Sequence, residues 1–141
     1  MPLPDDFDAV LKQVEQSGIL DEPPEEVDSR LSLAVQATAL RSGHRDLADL
    51  GVGDWTLNVI RKLKRALHQE MCDPDKKTLK DDYKNLLDKG LSPEGITAVS
   101  AAITGVVSLI NPTFAVSSVI IFLAIWLLKR GLGHWCSLPP P

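Results

Sequence analysis

Apolar residues recur through the first two-thirds of the chain at helical spacing, with polar residues filling the positions between them. Phe7, Val10, Leu11 and Val14 follow the i, i+3, i+4, i+7 pattern of one buried stripe; Asp5 or Asp6 is placed to cap that helix and Gly18 to stop it. Pro23-Pro24 opens a second helix, and Glu25 and Glu26 fall in its first turn, where carboxylates suit the positive end of the helix dipole. Its stripe is Val27, Leu31, Ala34, Val35 and Thr38, widened by Leu33, Ala37 and Leu40. A helix apolar over so much of its surface is expected at the centre of a small bundle. Ser42-Gly43 closes it, His44 to Leu50 leaves room for a short helical segment, and Gly51-Val52-Gly53 predicts a turn. Asp54 then caps a third long helix, Trp55–Met71, with Ile60, Leu63 and Leu67 on one face and Arg61, Lys62, Arg65 and Gln69 on the other. Lys64 stands at the edge of the apolar face, its stem expected along that face and its amine in water. After the break at Asp73-Pro74-Asp75, a further helix carries Leu79, Tyr83, Leu86 and Leu87 on one side and ends at Gly90.

The pattern then changes. Gly95 to Leu128 contains no charged residue, and Ser92-Pro93-Glu94 starts it with a capping hydroxyl, a proline at the first helical position and an acid in the first turn. Proline lacks the backbone donor and disfavours helix in the residue before it, so Asn111 and Pro112 predict a turn. The arm before the turn sets Ile96, Val99, Ile103, Val106, Val107 and Ile110 along one side, and Thr97, Ser100, Ala101, Thr104, Gly105 and Ser108 along the other. Small residues at four-residue spacing let another helix approach, so Ser100, Thr104 and Ser108 are the candidates for packing, or for lining a narrow oligomeric channel. The arm after it, Phe114–Leu128, is apolar all round except for Ser117 and Ser118. It ends in Trp126, Lys129 and Arg130, an aromatic and cationic terminus of the kind found at a membrane boundary.

Each arm spans about fifteen residues, roughly 23 Å of helix, short of the ~30 Å hydrocarbon core of a bilayer. Three arrangements meet this pattern: a single kinked span, a membrane hairpin, and a hairpin wrapped inside a soluble bundle. Cations at both open ends, with an uncharged Asn-Pro-Thr tip between them, suit a hairpin better than a span. A water-soluble form that hides the hairpin and releases it on a signal, as pore-forming toxins with buried hairpins do, would reconcile the last two; that is an analogy of architecture alone.

Charge narrows the function classes. Residues 1–54 hold twelve acids against four bases, and residues 55–91 nine bases against six acids, within a net charge of −4. That gradient, with few aromatics, argues against nucleic-acid binding. No serine–histidine–acid set, P-loop or metalloprotease helix is visible, and the Gly51–Gly53 segment lacks dinucleotide spacing; the sequence nominates no catalytic residue and no cofactor. His68 and Cys72 lie four apart on a helix, and His134 and Cys136 form a second pair, a donor set zinc accepts. Their spacing matches no standard finger, so no metal site is assigned. Two cysteines are too few for a disulfide-built fold, and with no secretory leader at the N-terminus a Cys72–Cys136 bond finds no support in the cytosolic location taken as default.

The sequence therefore predicts an all-α chain: an acidic-to-basic amphipathic helical region over 1–91, a hydrophobic helical hairpin over 92–130, and a short tail over 131–141. Two non-enzymatic functions fit it. One is a membrane-associated protein with its N-terminal region cytoplasmic, in which the N-terminal helices bind a protein partner or signal and the hairpin anchors in the bilayer or forms a pore, with homo-oligomers as an option. The other is a soluble cytoplasmic interaction module, an adaptor of death-fold-like helix count, with the hairpin as its core.

Overall fold

Asp6 stands at the N-cap of the first helix, as expected, but its side chain makes no cap bond. Its carboxylate instead accepts a hydrogen bond from the hydroxyl of Ser117, far along the chain. The computed structural model describes residues 3–41, 52–72 and 91–139, and among them it contains six α-helices and no strand. The all-α expectation holds. Helix α1 (Phe7–Gln16) buries Phe7, Leu11 and Val14, and Gly18, at φ +79°, turns the chain into a short 3-10 turn over Ile19–Asp21. A left-handed residue of this kind favours glycine because it carries no Cβ to clash. Helices α2 (Pro24–Arg41) and α3 (Val52–Cys72) follow. Helix α3 begins three residues earlier than Trp55, so Val52 and Gly53 are helical where a turn was expected. The segment 42–51, the break at 73–75, the helix expected over 79–87 with Gly90, and Lys80, Lys84 and Lys89, the cations expected at the first open end of the hairpin, lie outside the described residues.

The uncharged stretch forms helix α4 (Pro93–Ile110) and helix α5 (Ser117–Arg130), which pack on each other. Ser92 caps α4 as its sequence predicts, its Oγ accepting the backbone N–H of Gly95 at 3.0 Å. At the turn, the Asn111 N–H still bonds the Val107 carbonyl at 2.8 Å, and Pro112–Phe114 then forms a 3-10 turn closed by Phe114 and Ala115 N–H groups. Phe114 therefore belongs to the turn, and the second arm begins at Ser117, later than its apolar pattern suggests. Gly131, at φ +82°, redirects the chain into helix α6 (Leu132–Ser137), where a plain tail was expected.

Helix α5 is the hub. It packs against α1, α2, α4 and α6, while α3 closes over α2, α4 and α6. Val119, Ile120, Ile121, Leu123, Ala124 and Ile125 are completely buried, while Ser118, Phe122 and Leu128 are only partly covered. Burying one such large aliphatic side chain contributes about 1.5–3 kcal/mol. One hydrophobic core draws on all six helices, from Phe7 to Trp135. Polar bonds fix both ends of α5 to the N-terminal segment: Ser117 to Asp6, and the Lys129 amine to the Leu20 carbonyl.

Candidate functional site

Three regions of this bundle carry side chains that its packing leaves available or brings together. The first is the outer face of α2. Val27, Leu31, Ala34, Val35 and Thr38 point into the core as expected, but Leu33, Ala37 and Leu40 do not widen that buried stripe. Leu33 is 59% exposed and Leu40 47%, with Ala37 exposed between them. At i, i+4 and i+7 these three share one helix face, so α2 presents a second apolar stripe to the outside.

The second region is the hairpin tip. Leu109 is 88% exposed and Ile110 half exposed, next to the exposed Pro112 and Thr113. Trp55 of α3 sets its ring 6.2 Å from that of Phe114 beneath the turn. Asn111 and Pro112 thus sit where the sequence put them, at the reversal between the arms. Ser100 and Thr104 are buried, Thr104 returning its hydroxyl to the Ser100 carbonyl at 2.7 Å, whereas the Ser100 hydroxyl is buried with no hydrogen-bond partner. Ser108 is half-buried. No atom lies within 4 Å of where a Cβ on Gly105 would stand, so no neighbouring helix uses that glycine for close approach.

The third region is the corner where α3, α5 and α6 meet. Trp126, expected at an interface, is buried here. The Lys64 amine sits 3.9 Å from the centre of its ring and the Arg130 guanidinium 5.3 Å from it. Lys64 does not reach water as its position at the edge of the stripe suggested; its amine donates to Asp28 Oδ1 of α2 at 2.7 Å. Burial lowers the Lys64 pKa, the Asp28 hydrogen bond and charge oppose that shift, and Arg130 adds to it. Lys129, the neighbouring candidate, is committed to the Leu20 carbonyl. Trp135 of α6 stands edge-on to Trp126 at 5.7 Å and to the His68 ring at 4.9 Å. His68 Nε2 lies 3.2 Å from both the Trp135 and Leu138 carbonyl oxygens, and two acceptors at one nitrogen place the proton on it.

Cys72, the last residue of α3, and Cys136 of α6 are joined in a disulfide, with Cα atoms 5.3 Å apart. This corrects the expectation from the sequence. The pairing was hidden because the partners lie on either side of the hairpin, and only the fold of the last residues into α6 brings them together. The four residues considered for zinc are thereby divided: the sulfurs are bonded to each other, His68 is bonded to backbone carbonyls, and His134 is exposed. Among the described residues no three His, Cys, Asp or Glu side chains form a metal-holding group. The corner holds a hollow of about 230 Å³, open on one side and lined by Lys64, Trp126, Arg130, Trp135, Leu138 and Pro139. Its chemistry is the seating of cations on aromatic faces, which stabilises by about 0.5–2 kcal/mol each depending on desolvation.

No family model, curated protein or solved structure is matched by this chain.

Proposed function

We propose that this chain is a non-enzymatic all-α protein–protein interaction module. The hydrophobic hairpin serves as its core, and the Leu33–Ala37–Leu40 stripe of α2 receives an amphipathic helix of a partner protein. The burial pattern carries this reading. The hairpin's second arm buries most of its apolar side chains completely, with Phe122 and Leu128 partly covered, while apolar side chains at helical spacing are left outside on the neighbouring helix. Recognition of a partner helix by i, i+4, i+7 anchors is a recurrent use of such a face. The test has two arms. The full chain is expected to stay in the supernatant after carbonate treatment of membranes and to be monodisperse without detergent, and Ile121→Asp is expected to unfold it by placing a carboxylate in the core. Leu33→Asp is expected to leave the fold intact and to abolish crosslinking to the partner helix from a photoreactive residue at position 40. Carbonate-resistant sedimentation, or an Ile121→Asp chain that keeps its helices, would overturn the proposal.

A second reading has its own observation. Helix α4, at 18 residues, is the one described helix long and apolar enough to cross a membrane, and it ends at the exposed Leu109 and Ile110. Under that reading the tip leads the hairpin into a bilayer after α5 leaves the bundle, and the sedimentation assay separates the two.

A further inference from the structure

We propose that Cys72–Cys136 is a thiol–disulfide switch, a reversible modification site whose reaction partner is a dithiol reductant, and that opening it releases α6 from the bundle. The bond joins two elements that depend on it unequally. Helix α3 runs for 21 residues and is anchored by Ile60, Leu63, Leu67 and Met71, all buried. Helix α6 has six residues, fewer than the ~12 an isolated helix needs to persist in water. While the bond is closed, both ends of α6 are held: one by continuity with α5 through Gly131, the other by Cys136 on α3. With the bond open, the burial of Trp135 and the two His68 hydrogen bonds are its remaining attachments among those described above.

The bond is also reachable. Cys72 and Cys136 are each half-buried, and His134, Ser137, Leu138 and Pro139 beside Cys136 are exposed. Exchange begins when a thiolate of the reductant attacks one of the two sulfurs, forming a mixed disulfide and freeing the other cysteine as a thiolate. The reductant's second thiol then closes on the mixed disulfide. The reductant leaves as a disulfide, two electrons have passed to the protein, and with two protons Cys72 and Cys136 stand as thiols. Undocking of α6 then lifts Trp135 from Trp126 and widens the hollow beside Lys64, Trp126 and Arg130, which is already open on one side. What reduction uncovers is the buried Trp126 ring, with Lys64 seated on it and the already exposed Arg130 beside it, at the open end of the hairpin. In a reducing compartment the Trp126 ring is presented; in an oxidising one Trp135 covers it.

The experiment uses the full chain after air oxidation. Thiol alkylation with mass readout is run without reductant, with dithiothreitol under native conditions, and in denaturant, alongside circular dichroism and amide hydrogen exchange. The expected result is no alkylation before reduction and two alkyl groups after native reduction. Helical content should persist, and exchange over residues 132–138 should rise at least tenfold while residues 119–127 stay protected. A Cys72→Ser/Cys136→Ser double variant should show the same fast exchange with no response to dithiothreitol. Should that variant fail to fold, the reduced parent, whose circular dichroism is recorded on the same sample, gives the reading. Any of four outcomes overturns the proposal: alkylation without reductant, reduction only in denaturant, unchanged exchange over 132–138 after reduction, or loss of the whole fold on reduction.

Discussion

Removing the Cys72–Cys136 bond has a cost that the chain itself sets. The two cysteines are separated by 64 residues. The chain-entropy relation for a loop of that length gives about 14 cal/mol/K, or about 4 kcal/mol at 25 °C, as the entropy the bond withholds from the unfolded chain. Against a typical domain stability of about 5–15 kcal/mol this is a large fraction, yet it leaves a chain that folds. Guanidinium unfolding followed by circular dichroism should therefore place the reduced parent and the Cys72→Ser/Cys136→Ser variant together. Both should melt about 1 M or more below the oxidised parent, at the slopes common for small proteins. The internal control is that dithiothreitol shifts the parent and leaves the variant unmoved. A reduced parent within about 1 kcal/mol of the oxidised one would refute the reasoning, because the unfolded chain would then not feel the crosslink.

Other perturbations probe single features. Asp28→Ala should destabilise by about 1–3 kcal/mol because it leaves the buried Lys64 amine without its carboxylate, whereas Lys64→Met should change stability by less than about 1 kcal/mol, since Asp28 is half exposed and water replaces its partner; chemical denaturation measures both. Because burial lowers the Lys64 pKa, the unfolded chain binds more protons than the folded one between that depressed value and the ordinary 10.5. Stability should accordingly rise with pH across that window in the parent, an increment absent from the alkaline arm of Lys64→Met melting curves. Two glycines should respond with opposite signs, read as shifts in Tm. Gly105→Ala has open space and helical backbone and should stabilise by about 0.5–1 kcal/mol, while Gly131→Ala has equal space but φ +82° and should cost about 1 kcal/mol or more. Ser100→Ala should be neutral or stabilising by urea unfolding, since it removes a buried hydroxyl with no partner; a loss above about 1 kcal/mol would show that the hydroxyl packs productively.

Local pattern made much of this fold legible. The stripe of Phe7, Leu11 and Val14, the Ser92 cap with Pro93, and the reversal at Asn111 and Pro112 all follow from residue chemistry acting within a few positions, and all appear in the structure. What the sequence hid depends on distant partners. Leu33, Ala37 and Leu40 lie on a helix apolar nearly all round, and periodicity alone does not say which apolar face neighbours will cover. Lys64 looked like a residue reaching for water because its partner, Asp28, lies 36 positions earlier. Trp126, Lys129 and Arg130 have the composition of a membrane boundary, yet the same chemistry seats two cations on an aromatic ring and ties a third element through a backbone carbonyl. Helix α6 is flanked by glycine and prolines, which signal a tail unless Trp135 finds the pocket between His68 and Trp126.

The bonds that fasten the two ends of α5 to the N-terminal segment join residues 111 and 109 positions apart. That separation imposes an order on synthesis. At the usual ~5–20 residues per second, Asp6 and Leu20 are made roughly 5–20 s before their partners. For that interval the inward stripes of α1 and α2 have no α5 to receive them. A chain stopped before Ser117 lacks the helix against which α1, α2 and α4 pack.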